Sequence, residues 1–192
     1  MDGAARAAQA IRDAVTTTEA LLDPTLVAGV VEAAAIVSAS LRGGGKLLAF
    51  GNGGSAADAS HIVGELLGRF LHERPAAAAV ALADTAATLT AVANDYGFER
   101  VFARQVEGLA REGDVALAIS TSGASANVLA GVHAARLRGL RTIGLTGGSG
   151  GALRGAVEVC LLVPSADTPR IQEAHMVLGH VLCDLVEQDL LR

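Results

Sequence analysis

The run Gly51-Asn52-Gly53-Gly54-Ser55 leads into a segment that carries His61 and Glu65. Four residues apart on a helix, an imidazole and a carboxylate share a face and can reach one atom between them, which suits a metal ion or paired acid/base work. The loop before them supplies glycines for an open backbone, and Ser55 with Asp58 has the pattern of a capping box. A helix N-terminus with free N–H groups should therefore face whatever docks there. The loop is neither of the common nucleotide types: no Gly-Lys-Ser/Thr closes it, and its spacing is not Gly-x-Gly-x-x-Gly. A phosphate on a non-nucleotide ligand fits it better.

A second cluster, Ser120-Thr121-Ser122-Gly123-Ala124-Ser125, places four hydroxyls ahead of another helical stretch. Hydroxyls and backbone N–H groups at a helix start can wrap phosphate oxygens without a lysine or a metal. Near the C-terminus, Thr168 as N-cap and Pro169 in the first turn open a helix that runs through Gln172, Glu173, His175 and His180 to about Leu190. Its core stripe is Ile171, Leu178, Leu182 and Leu185. At ~100° per residue, Gln172 and His180 lie ~80° apart and can face one pocket, Glu173 and His180 lie ~20° apart, and His175 lies ~140° from His180. The two histidines should serve different places, and periodicity leaves open whether Gln172 or Glu173 accompanies His180.

These groups need a scaffold that brings distant loops together. Helical patterns occupy about 4–22 and 24–41, the second closed by Gly43-Gly44-Gly45. Short continuous apolar runs at 47–50, 78–82, 115–119, 142–145 and 159–163 read as buried strands, separated by helix-length segments at 56–70, 86–108, 124–138 and 150–156. Such alternation predicts a parallel sheet with helices on both faces. Ligands of open parallel sheets bind beyond the carboxyl ends of the strands, where the loops after Phe50, Ile119 and Leu145 would converge. The two opening helices have no strand partners of their own and are expected to pack between subunits.

Composition narrows the function. A chain of 192 residues with 51% hydrophobic content can bury a full core as one domain. A net charge of -5, with the arginines scattered, gives no basic stripe for a nucleic acid. No apolar stretch of membrane-spanning length is free of charge, and the start Met1-Asp2-Gly3 lacks the basic-then-apolar form of a secretory signal, so the cytoplasm is the expected compartment and no membrane partner is expected. Cys160 and Cys183 read as buried thiols.

Taken together, Gly51 to Ser55 with His61 and Glu65, Ser120-Thr121-Ser122-Gly123, and Arg170-Ile171-Gln172-Glu173 with His180 closely resemble the phosphoheptose isomerases, enzymes with a sugar-isomerase (SIS) domain. The resemblance covers nearly the whole chain. It implies a single SIS domain over 1–192, with a flavodoxin-like, five-stranded parallel sheet flanked by helices. It also implies a homotetramer with sites between subunits, acting on sedoheptulose 7-phosphate to give D-glycero-D-manno-heptose 7-phosphate. The zinc ligands it implies, for one ion per subunit, are His61, Glu65, Gln172 and His180. The substrate contacts it implies are Asn52, Gly53, Gly54, Ser55, Glu65, Asn94, Asp95, Ser120, Thr121, Ser122, Ser125 and Gln172, and it favours Gln172 over Glu173 at the metal. Such a reaction passes through an enediol, for which Glu65 is the expected base at carbon and His180 the expected acid at oxygen. One departure is Ala124, where related chains often carry asparagine. Non-catalytic SIS proteins that bind a replication initiator share the first loop and the Arg-Ile-Gln-Glu segment but lack the paired acid and imidazole; Glu65 and His180 point to an enzyme.

Overall fold

The apolar runs become strands and the alanine-rich segments become helices in a computed structural model that describes residues 2–192; Met1 lies outside the described residues. Helices α1 (Gly3–Glu19) and α2 (Pro24–Arg42) precede strand β1 (Leu47–Gly51). There follow α3 (Gly54–Leu67), β2 (Ala79–Ala81), α4 (Ala86–Tyr96), α5 (Val101–Leu109), β3 (Val115–Ile119), α6 (Ala126–Leu137), β4 (Arg141–Gly147), the single turn α7 (Leu153–Ala156), β5 (Val159–Val163) and the long α8 (Thr168–Leu190).

All five strands are parallel, in the order β2-β1-β3-β4-β5. The chain leaves β1 towards one edge of the sheet and leaves β3 towards the other, so a crevice opens between their carboxyl ends. Gly51 is in register with Ile119, and the loops that follow therefore start at the same level on either side of that crevice. Successive strand residues point to opposite faces. Leu47, Ala49, Leu117, Ile119 and Leu145 pack under α2, α3 and α8, while Leu48, Phe50, Ala116 and Ala118 pack under α5 and α6. Each fully buried leucine or isoleucine in these layers contributes about 2 kcal/mol.

Several boundaries differ from the sequence expectation for local reasons. The stretch 86–108 is two helices, because Gly97 adopts φ 87° and turns the chain into a short 3-10 segment, Phe98–Arg100. The N-cap of α3 is Gly53, at φ 56°, so Ser55 already lies within the first turn and the expected Ser55/Asp58 capping box does not form. On α8 the N-cap is Asp167, one residue before Thr168. Helix α2 is long and apolar enough to cross a membrane by length and mean hydropathy, but, as expected from the sequence, it is not free of charge: it carries Glu32. Here Leu26, Val30, Ala33, Ile36 and Val37 of α2 are buried in the core. Helix α1 buries no residue; its Ile11 and Val15 are 66% and 51% exposed.

Candidate functional site

Helices α3 and α8 run side by side in the same direction, touching at Gly54 against Gln172, at Ile62 against Gly179 and, just past the end of α3, at Phe70 against Glu187. The middle contact depends on glycine: a Cβ on Gly179 would lie 2.9 Å from Ile62 Cδ1, closer than packed carbons come. That approach sets the next residue, His180, against α3. Its Nε2 is 3.0 Å from His61 Nε2, and His61 Nε2 is 3.2 Å from Glu65 Oε1. Ligand atoms of all three side chains lie within 4.8 Å of one another. The Phe70 ring packs on His180, its centroid 5.5 Å from that of the imidazole.

The donor set fits a zinc-like ion. Two imidazole nitrogens and one carboxylate oxygen are the three protein ligands of many catalytic zinc centres, whose fourth position is left open; here His61 is exposed and leaves such an opening. In a tetrahedron with bonds of about 2.05 Å, neighbouring ligand atoms stand about 3.3 Å apart. The distances from His61 to its two partners, 3.0 and 3.2 Å, are close to that edge. Gln172, the fourth expected ligand, sits elsewhere on the seam. Its amide rests against Gly54, where a Cβ would lie 2.2 Å from Nε2. Eight residues before His180, it is about 12 Å away along the helix axis. Glu173 turns outward and pairs with Arg170.

About two helical turns up the seam from this cluster, at the start of α3, the two loops meet. Asn52 and Asn127 exchange side-chain amide hydrogen bonds, each 2.8 Å, so the first loop is tied to the start of α6. In the second loop Ser120 is buried, with its hydroxyl 3.1 Å from that of Ser125, and Ser122 Oγ accepts from the Ala124 N–H at 3.2 Å. The Thr121 carbonyl accepts from the Gly147 N–H at 3.1 Å. Gly123 has φ 63° and packs so tightly on the Gly150 carbonyl that only a residue without Cβ fits. The loop is thus held from below by β4 and the turn after it, with Ser122 and Ala124 exposed. Gly53 and Gly54 are exposed across from it and Ser55 is buried beneath. Asn94 and Asp95 do not join this group: both are exposed on α4, bonded to each other at 2.8 Å.

Two further polar groups lie under the site. Asp58, one turn before Ile62, is buried, and its Oδ2 lacks a partner among the described residues. Burial pushes its carboxyl up to about 6, against an opposing pull from His61. His175 is fully enclosed beside β4, and burial pushes its imidazole down to about 4; the nearby Thr146 backbone favours the charged ring but does not outweigh that. As the helical spacing predicts, His175 and His180 serve different places. Sequence reasoning missed Asn127 and the Asp58 environment. An asparagine at the start of a helix behind a serine-rich loop is a signal for the first, but its partner is 75 residues away.

A crevice at the β1/β3 switch point, lined by hydroxyl-rich and glycine-rich helix starts, defines the phosphosugar-binding class of SIS domains, and the SIS domain model matches residues 8–147. The chain belongs, within that class, to the phosphoheptose isomerase family and is an enzyme. It is 53% identical over 161 residues to a phosphoheptose isomerase of Rhodospirillum rubrum, covering 84% of this chain and 86% of that one. A solved phosphoheptose isomerase from Francisella tularensis superposes with a TM-score of 0.90 at 39% identity, covering 98% of this chain and all of the other. The corresponding structure from Neisseria gonorrhoeae gives 0.83 at 44% identity, with 96% of each chain covered. A phosphosugar isomerase role follows from these likenesses together.

Proposed function

We propose that this isomerase converts sedoheptulose 7-phosphate to D-glycero-D-manno-heptose 7-phosphate, with Glu65 as base and His180 as acid. The observation that carries the reading is the meeting of Glu65, from α3, with His180, from α8, in one cluster on the helix pair that starts at the first loop. The serine-rich loop, with Ser120, Thr121, Ser122 and Ser125, and the first loop, Asn52 to Ser55, supply donors for the phosphate and the sugar hydroxyls. Asn52 acts from its bond with Asn127, and Gln172 from its seat on Gly54, as substrate contacts at the loop end of the seam.

With the ketose carbonyl beside His180, Glu65 removes a proton from C1, the electron pair forms the C1=C2 bond of the enediol, and the carbonyl oxygen at C2 takes a proton from His180. The C1 hydroxyl then returns its proton to His180 as the C1 carbonyl forms, and Glu65 delivers its proton to C2. No net oxidation occurs, and both groups end as they began. A zinc ion on His61, Glu65 and His180 would supply positive charge to polarise oxygen and would tie α3 to α8. His61, without a proton-transfer role of its own, serves that ligand set. The exposed apolar side chains of α1 support packing in a homotetramer, and the free thiols of Cys160 and Cys183 accord with a cytoplasmic enzyme.

The test is incubation of purified protein with sedoheptulose 7-phosphate, followed by NMR. An aldoheptose phosphate signal is expected; unchanged ketose refutes the substrate. Metal analysis of protein purified without chelator should find a zinc-like ion, and EDTA should lower thermal stability and activity together. Metal-free protein with full activity in EDTA removes zinc from the proposal and leaves the acid/base pair.

A further inference from the structure

The α3–α8 seam has a contact beyond the cluster that the proposed chemistry leaves unused. Glu187 is fully buried on α8, seven residues after His180 and so on the same side of that helix. Its carboxylate accepts three consecutive backbone N–H groups of the segment that follows α3: Phe70 at 2.9 Å, Leu71 at 2.7 Å and His72 at 2.8 Å. Arg74 closes the arrangement. Its Nε lies 3.2 Å from Glu187 Oε1, and its guanidinium donates to the carbonyls of Leu66 at 2.8 Å, Pro75 at 3.0 Å and Glu65 at 2.8 Å. Burial works against the Glu187 charge, but the three amides and Arg74 outweigh it and hold the carboxyl below its usual range.

Breaking a buried ion pair leaves an uncompensated charge, so these two groups hold this part of the seam in one arrangement. What they fix is specific. Arg74 holds the backbone carbonyl of Glu65 itself, and Glu187 holds the backbone of Phe70, whose ring packs on His180. We propose that Arg74 and Glu187 are positioning residues for the isomerisation, locking the end of α3 to α8 so that Glu65 and, through Phe70, His180 keep their mutual placement. The inference rests on the reading that Glu65 and His180 carry the proton transfers. Neither positioning side chain touches the substrate.

Misplacement of a reacting group by about 1 Å can cost about 10²-fold in rate, so Glu187→Gln should lower kcat about 10- to 100-fold. KM for sedoheptulose 7-phosphate should stay within about threefold, because the serine-rich loop across the crevice is untouched. Phe70→Leu leaves the ion pair in place but removes the ring on His180; kcat should fall about tenfold with a thermal midpoint close to wild type. If Glu187→Gln does not fold, this second variant tests the Phe70 arm of the proposal and Arg74→Lys, with the same fall in kcat expected, tests the Glu65 arm. As a control, Asp114→Asn at the amino end of the sheet should lower the thermal midpoint with kcat unchanged, which separates positioning from loss of stability. Variants at Glu187 and Phe70 with wild-type kcat, in a protein that isomerises the substrate, overturn the positioning role only. A wild-type protein that leaves sedoheptulose 7-phosphate untouched refutes the reaction and the role with it.

Discussion

The two ends of the β-sheet treat buried carboxylates in opposite ways. At the amino end, Asp114 is buried, yet it accepts the backbone N–H of Lys46 at 2.9 Å and of Arg111 at 2.8 Å, together with the Lys46 ammonium at 2.5 Å. Ser40 there donates to the Gly113 carbonyl at 2.6 Å. At the carboxyl end, Asp58 Oδ2, Thr146 Oγ1 and both ring nitrogens of His175 are buried without partners among the described residues. An unsatisfied buried polar atom costs about 1 to 3 kcal/mol, so a fold keeps several in one place only where something else is gained. One end is built to hold together; the other carries a stability cost around a site.

The sharpest way to break that comparison is to remove the acid or the base. Glu65→Gln and His180→Gln should each lower kcat for sedoheptulose 7-phosphate by about 10³-fold, since a general acid or base commonly supplies 10² to 10⁴. Circular dichroism and size exclusion should show the fold and assembly retained. Near-normal turnover by either variant would move the chemistry away from the α3–α8 seam.

The mirror experiment at the amino end should do the reverse. Asp114→Asn leaves the Lys46 ammonium half-buried without its partner, and breaking such a pair costs about 3 kcal/mol or more. The thermal midpoint should fall while kcat at a temperature below it stays at the wild-type value. A loss of kcat would mean that the two ends are mechanically coupled.

Between these extremes lies the phosphate loop. Replacing Ser120 and Ser122 together by alanine removes two hydroxyl donors, and hydrogen bonds to a charged ligand are worth about 1.5 to 3 kcal/mol each. KM should rise about tenfold or more, with kcat changed less, because the acid and base sit on the other side of the crevice. An unchanged KM would place the phosphate against another set of donors.

What could be read in the chain was what short stretches encode. The five apolar runs, the glycine and serine loops and the His61/Glu65 spacing are local, and each appears in the fold near its expected bounds. Helical phase also separated His175 from His180 correctly. Interactions between distant segments were not legible. Asn127 meets Asn52 across 75 positions, and Glu187 meets the Phe70 amide across 117. Nothing in either sequence neighbourhood marks the partner. The capping box failed because a positive φ at Gly53 starts the helix before Ser55, a backbone choice that glycine permits but does not announce. Gln172 and His180 share enough of a helix face to suggest a common pocket, but phase says nothing about the rise of two turns that sets them apart along the seam.

The smallest effect concerns pH. With its imidazole pushed down to about 4 from an ordinary 6.5, His175 stays neutral in the fold while the unfolded chain takes up a proton below pH 6.5. Its contribution to stability is whole above that value and is lost as pH falls towards 4, at up to 1.36 kcal/mol per pH unit. Asp58 has the opposite sign. Raised to about 6, its carboxyl holds a proton in the fold that the unfolded chain releases, so it favours the fold as pH falls through 6. The two slopes oppose each other, and the wild type should change little between pH 7 and 5.5. His175→Leu, a substitution of similar bulk in an apolar setting, removes one slope and exposes the other. Relative to wild type, the variant should gain about 1 kcal/mol on going from pH 7 to pH 5.5, read as a rise in thermal midpoint. Midpoints that run parallel through that window would show that His175 takes up a proton inside the fold, and the cost assigned to the carboxyl end of the sheet would have to be carried by Asp58 and Thr146 alone.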